Sequence, residues 1–412
     1  MLELDFSLAF NAANDQEFFS ALPSSGAVCL IELQDENAEP LLIRTQNLRR
    51  RLQRLLGPPD ATSKRLNLRA VARGVQFRAV GSTFEQTLTY YQHAQRIFPR
   101  RYRDLLRMRP PAVLKVSMRN AYPRCYVTRY ISTDAAGLPS GGSYYGPFAS
   151  RGAALAFANR ALDFFKIRRC QIKIRRDPTF PGCLYSEMKM CLAPCFAGCS
   201  KEEYDAEVQR FVKFLESSGD SLRSTFESER ERASEDLDFE RAAALHKKVE
   251  KLDEVLRGRT ELTRRIQSLD AVILQRGTGE QVVAAFRVQG GRIDEPFFLP
   301  FGEIASQPRS AEQIFRNYLD PAAAALLARR LPLEGQPSEA VPETIESTPL
   351  AKGELSEHLW LVARWFYSNP RAGEIFFREK NDWPYRRILR ACSRLLAPPE
   401  PPPEPAKSSI TN

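Results

Sequence analysis

Apolar and polar positions along this chain change period often enough to divide it into short elements. Ala27 to Leu33 and Leu41 to Arg44 are apolar runs of strand length, and the polar stretch Gln34 to Glu39 between them predicts a hairpin. Leucines at 48, 52, 55 and 56 then fall on one stripe of a helix whose remaining surface carries arginines. A strand over Val75 to Val80 and a helix over Thr83 to Ile97 follow, then extended segments at Val113 to Ser117 and Arg124 to Tyr130. Tyr144-Tyr145-Gly146-Pro147-Phe148 reads as a turn ahead of a helix from Arg151 to Phe165. Ser200-Lys201-Glu202-Glu203 has the form of a capping box, so a helix is expected to start there and to run to about Glu216. Ser217-Ser218-Gly219-Asp220 breaks it, and a second helix, antiparallel to the first, is predicted from Ser221 to about Leu256. Its Leu245, Val249, Leu252 and Leu256 need a surface to cover them. Residues 268 to 301 read as a strand-rich unit, with runs at Ala271 to Gln275, Val282 to Val288 and Pro296 to Leu299. A helix from Ser310 to Arg330, a Pro-, Glu- and Ser-rich linker, a helical stretch from Leu355 to Leu396 and a disordered proline-rich tail complete the pattern.

Composition narrows the class. A chain of 412 residues is expected to hold two to three domains, and 43% hydrophobic with 27% charged residues describes a soluble globular protein. The 60 Lys and Arg against 50 Asp and Glu give a net charge of +10, which favours a polyanionic partner. Met1 to Phe10 carries Glu3 and Asp5 and lacks the form of a signal peptide. Charges interrupt every apolar run before the roughly 18 residues of a membrane span, so the expected location is cytoplasmic. In that reducing compartment eight cysteines suggest thiols or metal ligands rather than disulfides.

Three basic clusters stand out: Arg49, Arg50 and Arg51; Arg100, Arg101 and Arg103 around Tyr102, continued by Arg107 and Arg109; and Lys166, Arg168, Arg169 and Lys173, continued by Arg175 and Arg176. Basic residues with aromatics between them suit a phosphate backbone, and a solvated charged face is the alternative. Cys170, Cys183, Cys191 and Cys195 are spaced C-x12-C-x7-C-x3-C. Four thiolates can complete a tetrahedral zinc site, hold an iron-sulfur cluster or remain buried thiols. The three histidines, His93, His246 and His358, are scattered, which speaks against a histidine metal site or a Ser-His-Asp triad.

From Leu22 to about Phe298 the sequence resembles the first two thirds of the UvrC family, the incision subunit of the excinuclease ABC system. Leu22-Pro23-Ser24-Ser25-Gly26-Ala27-Val28-Cys29 and Asn47-Leu48-Arg49-Arg50-Arg51 resemble the opening and the helix of a GIY-YIG nuclease domain. In such a domain the resemblance implies a tyrosine as general base or relay, an arginine that stabilises phosphate charge and a glutamate that holds one divalent metal. Here Ala27 and Cys29 stand at the first motif's glycine and tyrosine, and Leu41-Leu42-Ile43 replaces the second motif. Arg51 is the one catalytic position retained. Aligning Tyr102 and Leu105-Leu106 with a later family stretch puts Tyr91 at the glutamate position and Arg103 at the asparagine position. Glu85 lies six residues from Tyr91, about 240° around a helix, and does not simply substitute. A phenol cannot replace a carboxylate that binds a hard cation, so catalytic magnesium is not expected. The cysteine spacing resembles the family's cysteine region, which implies a [4Fe-4S] cluster on Cys170, Cys183, Cys191 and Cys195, with zinc as the alternative. Leu237 to Val249 resembles the UVR motif, a hairpin that associates with a like hairpin of UvrB. Phe239 is then the anchor, Ala242 and Ala243 permit close approach, and Glu240, Arg241 and His246 sit at the rim; an ordinary intramolecular hairpin is the alternative. The family's RNase H-like and helix-hairpin-helix domains are not recognisable in this sequence.

The fold class expected is α+β. The divisions are an N-terminal extension (1–21), a degenerate GIY-YIG-like domain (22–108), a basic and cysteine-rich region (109–199), a helical hairpin with the UVR motif (200–257), a strand-rich unit with a helix (258–332), a linker (333–352), a helical C-terminal unit (353–396) and the tail (397–412). The function expected is a DNA-binding protein of nucleotide excision repair that does not cleave at its GIY-YIG-like site and that interacts with a UvrB-like protein. The alternatives are an active structure-specific endonuclease with a relocated site and an RNA-binding or scaffold protein.

Overall fold

The computed structural model describes residues 4–59, 65–304, 310–321, 353–380 and 382–397. They form an α+β protein with three antiparallel sheets.

The N-terminal unit comprises β1 (Phe6–Ala9), α1 (Asp15–Ala21), β2 (Ala27–Leu33), β3 (Leu41–Thr45), α2 (Leu48–Leu56), β4 (Ala72–Ala79), α3 (Thr83–Ile97) and the single turn α4 (Tyr102–Leu105). The order in its sheet is β1-β4-β2-β3. Residues 6–9 pair with β4 in the register Phe6↔Phe77 and Leu8↔Val75, so the stretch read as an extension supplies an edge strand. Successive side chains of a strand face opposite ways, and β2 uses both faces. Ala27, Cys29 and Ile31 share a core with the leucines of α2, whereas Val28 shares one with Phe84, Leu88 and Tyr91 of α3. Asn47 caps α2 by accepting from the Arg50 amide at 2.9 Å, and Ser82 caps α3 through the Glu85 amide at 3.2 Å.

The middle unit holds β5 (Ala112–Val116), β6 (Cys125–Thr128), β7 (Ser143–Phe148), α5 (Arg151–Leu162), α6 (Leu184–Glu187), α7 (Lys201–Glu216), α8 (Asp220–Glu235), α9 (Phe239–Arg257) and β8 (Arg264–Arg265), with sheet order β6-β5-β7-β8. The segment Tyr144 to Phe148, read as a turn, is instead an interior strand with every residue buried. The second predicted helix also divides. Leu237 adopts a left-handed φ of 59°, Asp238 caps a new helix by accepting from the Arg241 amide at 3.0 Å, and α8 and α9 pack as the hairpin. Leu245, Val249 and Leu252 are buried within the chain, as their stripe requires.

The last unit contains β9 (Ala271–Arg276), β10 (Val282–Gln289), β11 (Arg292–Ile293), β12 (Phe297–Pro300), α10 (Phe301–Ile304), α11 (Ala311–Leu319), α12 (Glu354–Phe366), β13 (Glu374–Phe377) and α13 (Tyr385–Leu396). Its sheet runs β11-β10-β9-β13, with β12 also on β10. The C-terminal stretch is therefore not wholly helical: β13 extends the sheet of the strand-rich unit, in the register Ile375↔Ile273. Gly373 enters it at φ +83°, where a Cβ would lie 2.3 Å from the Leu274 carbonyl oxygen. The linker at 333–352, the part of the 310–330 helix beyond residue 321 and the tail beyond residue 397 lie outside the described residues.

The second face of α3 packs on this last unit. Phe84 meets Phe286 edge-on at 5.0 Å and Trp365 at 5.7 Å, and ten of the fifteen residues of α3 are buried. Gly81 meets the β9–β10 turn so closely that a Cβ would lie 2.2 Å from the Gly277 carbonyl carbon. No helix among the described residues is long and apolar enough to cross a membrane.

Candidate functional site

Of the positions singled out on β2 and β3, Ala27, Cys29 and Leu42 are core, and Leu41 and Ile43 are partly buried against it. Ala27 and Cys29 are fully buried against α2, and burial pushes the Cys29 thiol up to about 12. Leu42 packs toward α3. Arg51 is exposed on α2.

Tyr91 and Arg103 meet somewhere else. α12 carries Glu357 into the interior, where the carboxylate is only 7% exposed. Its Oε2 accepts from the Tyr91 hydroxyl at 2.7 Å, and its Oε1 accepts from the Tyr102 hydroxyl at 2.8 Å and from Arg103 Nε at 2.7 Å. Arg103 Nε also reaches the Tyr102 oxygen at 3.2 Å. Burial, and then the hydrogen bond to the carboxylate, raise the Tyr91 and Tyr102 phenols above their ordinary range; Glu357 raises Arg103 in turn. The next residue, His358, accepts the Ile293 amide on Nδ1 at 3.1 Å, and burial lowers it to about 4, so its ring is neutral near pH 7. A carboxylate with three donors on its two oxygens is an anchor for neighbouring elements rather than a free base or cation ligand. Glu85 points away from this cluster, as its helical angle requires. It accepts the Gly81 amide at 2.8 Å, and burial raises it to about 7.

Sequence reasoning named Tyr91 and Arg103 but missed Glu357, which lies 266 and 254 positions away. The available signal was a carboxylate within the run Leu355 to Trp365, in which seven of the other ten residues are apolar and buried.

The ten basic candidates separate by environment. Arg49 donates to the Leu22 carbonyl at 2.8 Å and the Ser20 carbonyl at 3.2 Å. Arg101 pairs with Glu39 at 2.9 Å, and Arg169 with Asp163 at 2.8 Å. Arg168 is only 6% exposed and donates to the carbonyls of Tyr122 and Ile172, both at 2.9 Å. It braces two loops and cannot reach a phosphate from there. Arg50, Arg51, Arg100, Lys166 and Lys173 are exposed.

The four cysteines do converge. Cys191 Sγ accepts the Ala193 amide at 3.3 Å, and Arg168 Nη1 approaches Cys170 Sγ at 3.9 Å. Burial, chiefly, raises the Cys191 thiol to about 11, and Cys170, Cys195 and Cys183 each raise it further by repulsion. Cys195 is raised by burial and by Cys183 and Cys170. Ala193 and Ala197, both left-handed, bracket the tight turn that presents Cys195. Yet among the described residues no three His, Cys, Asp or Glu side chains stand close enough to hold one metal ion. A tetrahedral zinc site needs sulfurs about 3.8 Å apart.

At the tip of the α8–α9 hairpin, Leu237 is 71% and Phe239 68% exposed. Glu240, Ala243 and His246 are exposed beside them and Ala242 is half-buried; His246 Nε2 lies 3.5 Å from Glu250.

Residues 112–214 match the family model described as the UvrC/Cho excinuclease middle domain. A UvrABC system protein C of Carboxydothermus hydrogenoformans is 29% identical over 275 residues, which cover 66% of this chain and 43% of that protein. Its counterpart in Methanothermobacter thermautotrophicus is 32% identical over 42% of this chain and 28% of the relative. That of Idiomarina loihiensis is 35% identical over 34% and 23%. The chain thus spans less than half the length of these relatives. No solved structure is matched.

Proposed function

Because the chain is a UvrC-family protein, we propose that it is a DNA-associated factor of nucleotide excision repair that holds DNA without cutting it at its GIY-YIG-like unit. The observation that carries this reading is the Glu357 cluster. The phenol at the position of the family's metal-binding glutamate donates to a buried carboxylate whose oxygens are already engaged by three donors. Cys29, at the first tyrosine position, is buried, and Leu41-Leu42-Ile43, in place of the second motif, carries no phenol. Exposed Arg50, Arg51, Arg100, Lys166 and Lys173, together with the net charge of +10, supply the phosphate-facing surface of this proposal. An endonuclease with a relocated site would need a carboxylate with a free lone-pair face, and Glu357 is poorly suited to that.

The experiment is a magnesium- and manganese-dependent nicking assay on lesion-bearing duplex, run beside a binding assay at several salt concentrations. Salt-sensitive binding without scission is expected. Scission abolished by Arg51→Ala would establish the enzyme instead.

Two subsidiary proposals accompany this reading. The hairpin tip at Phe239 is the surface for a UvrB-like partner, supported by the large apolar side chains of Leu237 and Phe239, which are mostly exposed among the described residues. Cys170, Cys183, Cys191 and Cys195 are the ligands of a [4Fe-4S] cluster, supported by their spacing and by the N–H donors at Cys191 and Cys170. When bound, such a group would supply a cross-link between the segment 166–176 and the loop ahead of α7.

A further inference from the structure

A cleft of about 390 Å³ opens beside the Glu357 cluster, where α12 meets the segments around residues 103–110 and 129–133. Its size is at the lower end of small-ligand sites, enough for one flat ring with its substituents and too narrow for a duplex. Three features of its lining bear on what would enter.

The first is a preset cation. Arg103 lines the cleft, and its Nε is held by Glu357 at 2.7 Å and by the Tyr102 oxygen at 3.2 Å while the side chain remains 57% exposed. Fixing the guanidinium at Nε leaves its terminal amines to meet an oxyanion at little further entropic cost. The second is the exposed Arg129, also in the lining, which therefore carries two guanidiniums against one carboxylate. The third is aromatic. Tyr130 is 65% exposed beside Arg129, and Trp360 forms the buried wall with Arg364 over its ring at 5.3 Å. A large phenol left in water, in a lining that also holds two arginines, suits a stacked base with a phosphate attached.

We infer that this cleft binds a single phosphorylated nucleotide, with the base against Tyr130 and Trp360 and the phosphate between Arg103 and Arg129. The same chemistry is offered by a free mononucleotide and by the terminal nucleotide of a DNA strand. This site stands on its own lining and does not depend on the repair assignment or on the absence of nuclease activity.

The test is calorimetric titration of the full chain with thymidine 5′-monophosphate, thymidine, inorganic phosphate, and a short oligothymidylate with and without a 5′-phosphate. Saturable binding is expected for a phosphorylated probe, with thymidine and phosphate alone each weaker by about tenfold or more. If the mononucleotide binds, the occupant can be free; if only the 5′-phosphorylated oligomer binds, the occupant is a strand end. Arg129→Ala and Tyr130→Ala alter exposed side chains and leave the fold intact by circular dichroism. Each is expected to weaken the phosphorylated probe about tenfold, and Tyr130→Ala to leave phosphate alone unchanged. The inference is overturned if no phosphorylated probe saturates at millimolar concentration, or if both variants bind as the parent does.

Discussion

Replacing Glu357 by alanine should loosen the joint between the first and last units. The Tyr91 hydroxyl, in a residue 1% exposed, and the Tyr102 hydroxyl, in a residue 7% exposed, both lose their acceptor. A buried donor left without a partner costs about 1–3 kcal/mol. Arg103 is more than half exposed, so water replaces its bond and its share is small. The expected loss is therefore about 3–4 kcal/mol, whereas Glu357→Gln, which retains one oxygen acceptor, should lose about half as much. Urea unfolding followed by tryptophan fluorescence is a suitable assay, because Trp360, Trp365 and Trp383 all lie in the last unit. The cluster predicts coupling as well: in a Tyr91→Phe background the cost of Glu357→Ala should fall by about 1–2 kcal/mol. A loss below about 1 kcal/mol, or a cost unchanged by Tyr91→Phe, would refute the assignment of Glu357 as a shared acceptor.

Burial raises the Glu85 carboxyl from an ordinary 4.5 to about 7, so the folded chain holds that proton more tightly than the unfolded chain. Its contribution to stability is complete below about pH 4.5 and is lost as the pH rises through 7. Glu85→Gln should therefore match the parent near pH 4 and exceed it by up to about 3 kcal/mol at pH 8, read from urea midpoints. His358, lowered to about 4, acts with the opposite sign, favouring the fold above pH 6.5 and losing that as the pH falls through 4. It is present in both proteins and cancels in the comparison. Phe239→Ala should abolish capture of a UvrB-like protein while changing stability by less than about 0.5 kcal/mol, since the ring is exposed; a parent chain that ignores UvrB would remove the partner proposal. Anaerobically purified protein should contain iron and sulfide, with both lost in Cys191→Ser and kept in Cys199→Ser. Zinc, or no metal at all, in the parent would reject the cluster.

Local periodicity made much of this molecule legible. The stripe Leu48, Leu52, Leu55 and Leu56 is buried as read, and the four clustered cysteines do share one neighbourhood. Errors arose where local signals conflicted. Gly146-Pro147 has the dipeptide form of a turn, and it outweighed the flanking aromatics that make 143–148 an interior strand. The break at Leu237 contains neither Gly nor Pro, and its one mark was the capping aspartate that follows. β13 has only four residues between Pro370 and the next helix, too few to establish an alternation. Arg168 looked like its neighbours in a basic run, and only the tertiary structure turns its guanidinium onto two carbonyls. The Glu357 cluster was out of reach for a different reason: a sequence pattern describes a residue's own helix and says nothing of which distant donors that helix will meet.

The tie between positions 91 and 357 closes a loop of more than half the polypeptide. Ordering so long a circuit is entropically slow, so the contact should be among the last to form as the protein matures. It also means that neither terminus is an independent cassette. A fragment ending near residue 110 would carry the entire outer side of α3, Phe84 and Tyr91 included, into water, and would behave as an insoluble stub rather than as a miniature nuclease.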